Sequence, residues 1–198
     1  MLDERAGFDT ARFHAARAGQ LTRACTRALA CAAVARILIV AGGCRGRRLA
    51  AAMIAEGHAV RVSTRGQRGR AAIEACGAEC WVGDPQRLAT MRGALEGVTI
   101  VCWLLGSCVG ATRELHELHA SRLPFFVSQT IDTAVRGFVY ESRGTTTPPR
   151  LLAEGQRTVR ELAQRNAIPA AFLTADPHDL PAWLADARAA IGSLLQRR

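Results

Sequence analysis

The stretch Ile37-Leu38-Ile39-Val40-Ala41-Gly42-Gly43-Cys44-Arg45-Gly46-Arg47-Arg48-Leu49-Ala50, ILIVAGGCRGRRLA, runs from four apolar residues through a glycine turn into arginines. The apolar, largely β-branched start reads as a buried strand over about 36–41. Beyond the glycines, Leu49, Ala50, Met53 and Ile54 fall on one stripe, which predicts a helix of about 44–56 stopped by Gly57. A strand that turns sharply into a helix through glycines is the opening unit of an alternating β/α chain.

The pattern repeats outward from there. Strands are expected at Ala59 to Ser63, Glu79 to Val82, about 98–105, Gly137 to Glu141 and Ala170 to Thr174. Helices are expected at about 67–76, after Asp84-Pro85, at 111–121, 149–166 and 180–196, with an extended or helical piece running through Ile131. Asp84-Pro85 supplies an N-cap residue and a proline at the first helical position, with Leu88, Met91 and Leu95 along one face. Val98 to Leu105 is the most continuous apolar run, as suits a central strand buried on both faces.

Six strand and helix units with right-handed crossovers predict an α/β fold, a doubly wound Rossmann three-layer sandwich whose parallel six-stranded sheet has the order 3-2-1-4-5-6. About 24 residues follow Thr174 in the 198-residue chain, so no separate substrate domain is expected within it. Residues 1–34, rich in Ala and Arg without a regular apolar face, read as a helical or disordered extension, and residues 35–198 as the domain.

Composition narrows the functional classes. No apolar run reaches the roughly 20 residues of a membrane span, so no membrane association is expected. The net charge is +9, yet all 26 basic residues are arginine, aromatic residues are few and no nucleic-acid motif accompanies them. Nucleic acid is therefore not an expected partner. Seven cysteines, an odd number scattered partly through apolar runs, fit free thiols in a reducing cytoplasm better than a disulfide framework.

A dinucleotide fold ends its first strand in G-x-G-x-x-G, for the tight turn, the approach of backbone to pyrophosphate and close helix packing. The register here is Ala41-Gly42-Gly43-Cys44-Arg45-Gly46, with alanine first and the second and third glycines intact. Alanine is tolerated if its φ stays negative, and Gly42 is a permissive neighbour. These six residues are the candidate phosphate cradle.

About 20 residues beyond the turn, an NAD site places an acid on the ribose 2′-hydroxyl. Ser63-Thr64-Arg65-Gly66-Gln67-Arg68 stands there with no acid. Hydroxyls and guanidinium forks suit a 2′-phosphate, so Ser63, Thr64, Arg65 and Arg68 point to NADP(H) over NAD(H). Asp84, after the third strand, can accept from an adenine amino group or cap a helix, and one residue can approach both roles. Leu105, Gly106 and Ser107 follow the fourth strand at the topological switch point, where the nicotinamide ribose is expected to pass.

The segment RILIVAGGCRGRRLAAAMIAEGHAVRVSTR, followed by GDP and a buried apolar strand, resembles the atypical short-chain dehydrogenase/reductases, the NAD(P)-binding Rossmann proteins akin to sugar-nucleotide epimerases and NmrA-like proteins. The resemblance is close over about a third of the chain and extends by topology over residues 36–196. It implies a nicotinamide dinucleotide cofactor. Val40 departs from that group's G-x-x-G-x-x-G at its first position.

Members of that group commonly use a Tyr-x-x-x-Lys pair. This chain has no lysine and a single tyrosine, Tyr140, followed by Glu141-Ser142-Arg143-Gly144. Tyr140 and Glu141 are the remaining acid/base candidates, at the end of the fifth strand. Cofactor chemistry that passes hydride to a flavin or quinone needs few side chains. The expectation is an NADPH-dependent oxidoreductase on a small substrate, with a non-catalytic NADP(H)-sensing protein as the alternative. His116 and His119 lack the spacing and third ligand of a zinc site, and no metal is expected.

Overall fold

The computed structural model describes residues 35–197, and the extension expected over residues 1–34 lies outside them. Six strands, β1 (Arg36–Val40), β2 (Ala59–Thr64), β3 (Glu79–Val82), β4 (Ile100–Trp103), β5 (Gly137–Glu141) and β6 (Ala170–Leu173), form one sheet in the order β3-β2-β1-β4-β5-β6. Every neighbouring pair is parallel. This is the expected doubly wound order, with its switch point between β1 and β4.

The sheet is buried on both faces, which is why β1 and β4 are apolar at successive positions. Ile37, Ile39, Ile100, Cys102 and Val139 face one core. It is covered by Leu49, Ala50 and Met53 of α1 (Cys44–Ala55), by Ile73 of α2 (Arg70–Glu74), and by Trp183, Ala187 and Ile191 of α6 (Leu180–Gln196). Leu38, Val40, Val101, Trp103, Phe138 and Tyr140 face the other core. Its cover includes Phe126 and Val127 of α4 (Leu123–Thr130) and Leu152 and Val159 of α5 (Pro149–Arg165). Each large apolar side chain so buried contributes roughly 1.5–3 kcal/mol. By alternation Glu141, the last residue of β5, shares the face of Val139 and Trp183.

Three local expectations are corrected. Residues 67–76 form a 3₁₀ turn at Gln67–Gly69 followed by the short α2. The segment after Asp84-Pro85 is a 3₁₀ helix over Leu88–Leu95, and Asp84 is not its N-cap. The Asp84 carboxylate instead accepts from the Gln86 N–H at 3.0 Å, and the Thr90 hydroxyl accepts from the Asp84 N–H at 2.8 Å. These side-chain bonds compete with the α-helical pattern, and Gly93 further along lowers helix propensity.

The expected 111–121 helix is α3 (Thr112–Glu117), continued by a π turn over Leu118–Arg122 into α4. Pro124 has no N–H to offer the preceding turn, and the widened turn carries His119 into the core, where it is fully buried. The last helix is as expected, and the Asp179 carboxylate caps it by accepting from the Ala182 N–H at 3.0 Å.

Candidate functional site

The carboxyl ends of β1, β2, β3 and β4 open on a cleft of about 840 Å³, the size class of a nucleotide or drug-sized ligand. The floor is the β1–α1 turn. Ala41 keeps a negative φ, since Ala167 is the one non-glycine with positive φ among the described residues. Alanine is therefore accommodated at the first position of the glycine pattern.

The glycines divide their work. A Cβ on Gly42 would stand 2.8 Å from the Ser63 carbonyl oxygen, so the turn can lie against the end of β2 only without a side chain. A Cβ on Gly46 would overlap the Ala41 carbonyl oxygen, so α1 can start this close to its strand only with glycine there. Nothing lies within 4 Å of a Cβ on Gly43, which leaves the approach to the turn open from the cleft. The Arg47 guanidinium donates to the Gly42 carbonyl at 2.6 Å and braces the turn from behind.

Gly43 is also the N-cap of α1. No side chain caps this helix and no acid occupies its first turn. The free N–H groups and the positive end of the helix dipole therefore face the cleft, as an anionic ligand requires.

Ser63, Thr64 and Arg65 line the cleft beside the end of β2. Ser63 is buried and Arg65 exposed at the rim. The lining carboxylates stand further round, Asp84 after β3 and Glu114 and Glu117 on α3. Gln86 joins these two segments by donating its amide to the Glu114 carbonyl at 2.6 Å.

Of the residues marked in the sequence, the cleft brings together Ala41, Gly42, Gly43, Cys44, Arg45, Gly46, Ser63, Thr64, Arg65, Asp84, Leu105 and Ser107. Arg68 lies exposed on the 3₁₀ turn beside it, outside the lining. Gly106 is buried beneath the β5–α5 loop, where a Cβ would stand 2.8 Å from the Arg143 carbonyl oxygen. Tyr140 and Glu141 also stand outside the lining.

The Tyr140 hydroxyl reaches Nδ1 of His119 at 2.9 Å, and both rings are buried. Burial pushes the tyrosine up from its usual range and the histidine down to about 4. Gly155 of α5 faces the tyrosine hydroxyl, where a Cβ would collide with it.

Glu141 is 1% exposed and accepts from three donors. Its Oε2 takes the Gly106 N–H at 2.7 Å, and its Oε1 takes the Trp183 indole N–H at 3.0 Å and Arg45 Nη2 at 3.3 Å. Burial raises its pKa, opposed by the Arg45 guanidinium and by the two N–H donors. Cys108, which does line the cleft, is likewise raised by burial.

Trp183 and Arg122 also belong to the lining. Their sequence neighbourhoods are ordinary amphipathic helix, and only the tertiary fold, more than a hundred residues away along the chain for Trp183, brings them to the turn.

No family model matches the chain, and no curated protein matches it. Solved structures do resemble it. A short-chain dehydrogenase/reductase superfamily protein from Agrobacterium tumefaciens with bound NAD aligns at TM-score 0.58 and 19% identity, over 82% of this chain and 62% of that one. UDP-glucose 4-epimerase from Thermotoga maritima aligns at 0.57 and 14%, over 69% and 54%. Triphenylmethane reductase from Citrobacter sp., complexed with NADP(H), aligns at 0.53 and 16%, over 70% and 48%. The chain spans about half the length of such structures. At these identities the likeness lies in the fold, and the chain has a Rossmann fold.

Proposed function

We propose that this protein binds a nicotinamide dinucleotide in the cleft, NADP(H) in preference to NAD(H). The observation that carries the reading is the uncapped N-terminus of α1 behind the open Gly43, flanked at the β2 end by Ser63, Thr64 and Arg65 with no carboxylate. The first feature suits a pyrophosphate and the second a 2′-phosphate. That two similar structures hold NAD and NADP(H) supports the cofactor class.

Two roles are open to such a protein, an NADPH-dependent oxidoreductase acting on a small substrate and a non-catalytic NADP(H)-sensing protein. The geometry favours the second. Tyr140 is engaged with buried His119, and Glu141 is engaged with Arg45, Trp183 and Gly106, so neither offers a proton in the cleft. We place the protein in the cytoplasm, a reading favoured by the free thiols of Cys44, Cys76, Cys80, Cys102 and Cys108.

Titration calorimetry with NADPH and NADH, followed by a search for NADPH oxidation with flavin, quinone and aldehyde acceptors, tests this. NADPH should bind about tenfold tighter than NADH, the scale of one charge-assisted contact, and no acceptor should be turned over. Equal affinities overturn the NADP(H) preference, absence of binding overturns the nucleotide site, and turnover with any acceptor restores the oxidoreductase.

A further inference from the structure

A dinucleotide laid across a doubly wound sheet needs both halves of the crevice, one over β1, β2 and β3 and the other over β4, β5 and β6. Ala41 to Gly46, Ser63 to Arg65 and Gly83 to Arg87 line the first half, and the chain after β4 lines the cleft from Leu104 to Arg122, whereas the ends of β5 and β6 contribute little, Thr145 and Trp183 being the lining residues from β5 onward.

The ends of β5 and β6 are covered by the protein's own side chains. Arg45, on the first turn of α1, reaches across to Glu141 at the end of β5 at 3.3 Å and donates to the Pro177 carbonyl beyond β6 at 3.1 Å. Its guanidinium carbon lies 5.4 Å from the centre of the Trp183 ring. Glu141 in turn holds the Trp183 indole and the Gly106 N–H. One carboxylate thus ties together the first turn of α1, the β4–α3 loop and α6, and the arginine adds the loop after β6.

A second layer closes the same end. In the β5–α5 loop, Thr145 N–H donates to the Ser107 hydroxyl at 2.9 Å, Thr146 Oγ1 to the Cys108 carbonyl at 2.8 Å, and Thr147 N–H to the Gly106 carbonyl at 3.2 Å. Gly144 packs so closely on Gly106 that a Cβ would overlap the Gly106 carbonyl oxygen. Of the backbone over which a nicotinamide ribose was expected to pass, Gly106 is therefore already hydrogen-bonded and covered, while Leu105 and Ser107 line the cleft. The residues present fit an adenosine diphosphate and do not fit the nicotinamide half.

We propose that the cleft recognises a 2′-phosphorylated adenosine diphosphate group and stops at the pyrophosphate, because a latch of Arg45, Glu141 and Trp183 occupies the place of the nicotinamide. The inference rests on reading the cleft as a nucleotide site and names the part of the nucleotide that is read. A ligand group that makes no contact contributes nothing to affinity. NADP⁺ and a fragment ending at the pyrophosphate then bind alike, and the oxidation state of the ring is not sensed in the latched form.

Calorimetric titration of the full chain with 2′-phospho-ADP, NADP⁺ and nicotinamide mononucleotide tests the proposal. The expected result is that NADP⁺ binds no more than about fivefold tighter than 2′-phospho-ADP and that the mononucleotide does not bind. A larger advantage for NADP⁺, or binding of nicotinamide mononucleotide in competition with NADP⁺, overturns the latch while leaving the nucleotide site standing. Failure of all three to bind overturns the nucleotide reading itself.

The paired substitution Arg45→Leu with Glu141→Gln removes the latch without stranding a buried charge. It should raise the NADP⁺ to 2′-phospho-ADP affinity ratio by more than about fivefold, and an unchanged ratio overturns the latch. Should that variant fail to fold, the comparison of ligands on the unaltered chain decides alone.

Discussion

His119 Nδ1 lies 2.9 Å from the Tyr140 hydroxyl, with both side chains fully buried beneath the β4–α3 loop. Burial holds the histidine down to about 4, so the folded state takes up a proton less readily than the unfolded chain, where histidine titrates near 6.5. The sign follows from linkage. Stability from this group is intact above about pH 6.5 and is lost as the pH falls from there toward 4, by about 3 kcal/mol in all. Glu141 acts in the opposite sense, because burial raises its pKa and makes the folded state the better proton acceptor. Urea unfolding across this window should show the unaltered protein losing stability toward acid and His119→Leu losing distinctly less. Equal slopes would falsify the assignment to His119.

Glu141 carries a larger structural load than its place in the sequence suggests. Glu141→Ala leaves the Trp183 indole, the Gly106 N–H and a largely enclosed Arg45 without their acceptor. Leaving such donors unpaired costs about 3 kcal/mol or more. Glu141→Gln keeps an acceptor oxygen and should lose about half as much. Denaturant midpoints of the two variants check the order, and a glutamine variant as unstable as alanine's would refute the hydrogen-bonding account.

The fold was legible because its signals are local and repeated. Apolar runs such as Ile37 to Val40 and stripes such as Leu49, Ala50 and Met53 each name an element, and six in alternation name the sheet order. The glycine turn was legible for the same reason, since Gly42, Gly43 and Gly46 sit between one strand and one helix. What lay beyond reach depends on long-range geometry. Glu141 and Tyr140 look alike as acid/base candidates at a strand end, but strand alternation sends one to each face. Each then meets a partner, Arg45 or His119, that lies at least twenty residues away in the chain. Asp84 misled in a different way, because its side-chain bond to the Gln86 N–H forms whether or not a helix follows.

The two glycines of the turn should separate stability from binding. Gly46→Ala forces a methyl group into the Ala41 carbonyl, and overpacking against backbone costs about 1–3 kcal/mol. Gly43→Ala meets nothing within 4 Å and should change stability by less than about 1 kcal/mol. If the turn holds a pyrophosphate as proposed, the methyl group would enter its path and should weaken nucleotide affinity by about tenfold or more. Thermal unfolding and calorimetry on both variants check this, and a Gly43→Ala protein that binds NADPH normally would remove the phosphate from the turn.

Arg65 provides the narrowest test of which nucleotide is read. It stands exposed at the rim beside Ser63 and Thr64, so its pairing with a 2′-phosphate would be partly screened by water. A screened charge-assisted contact gives about 1 kcal/mol, roughly fivefold in affinity, and reversal of the charge adds repulsion of similar size. Arg65→Glu should therefore weaken NADPH binding by about tenfold or more while leaving NADH within about twofold, because NADH carries a hydroxyl where NADPH carries the phosphate. Raising the salt concentration should shrink the NADPH preference of the unaltered protein, since exposed charges are screened. Equal losses for the two nucleotides in Arg65→Glu would mean that the residue shapes the loop after β2 without reading the 2′-position.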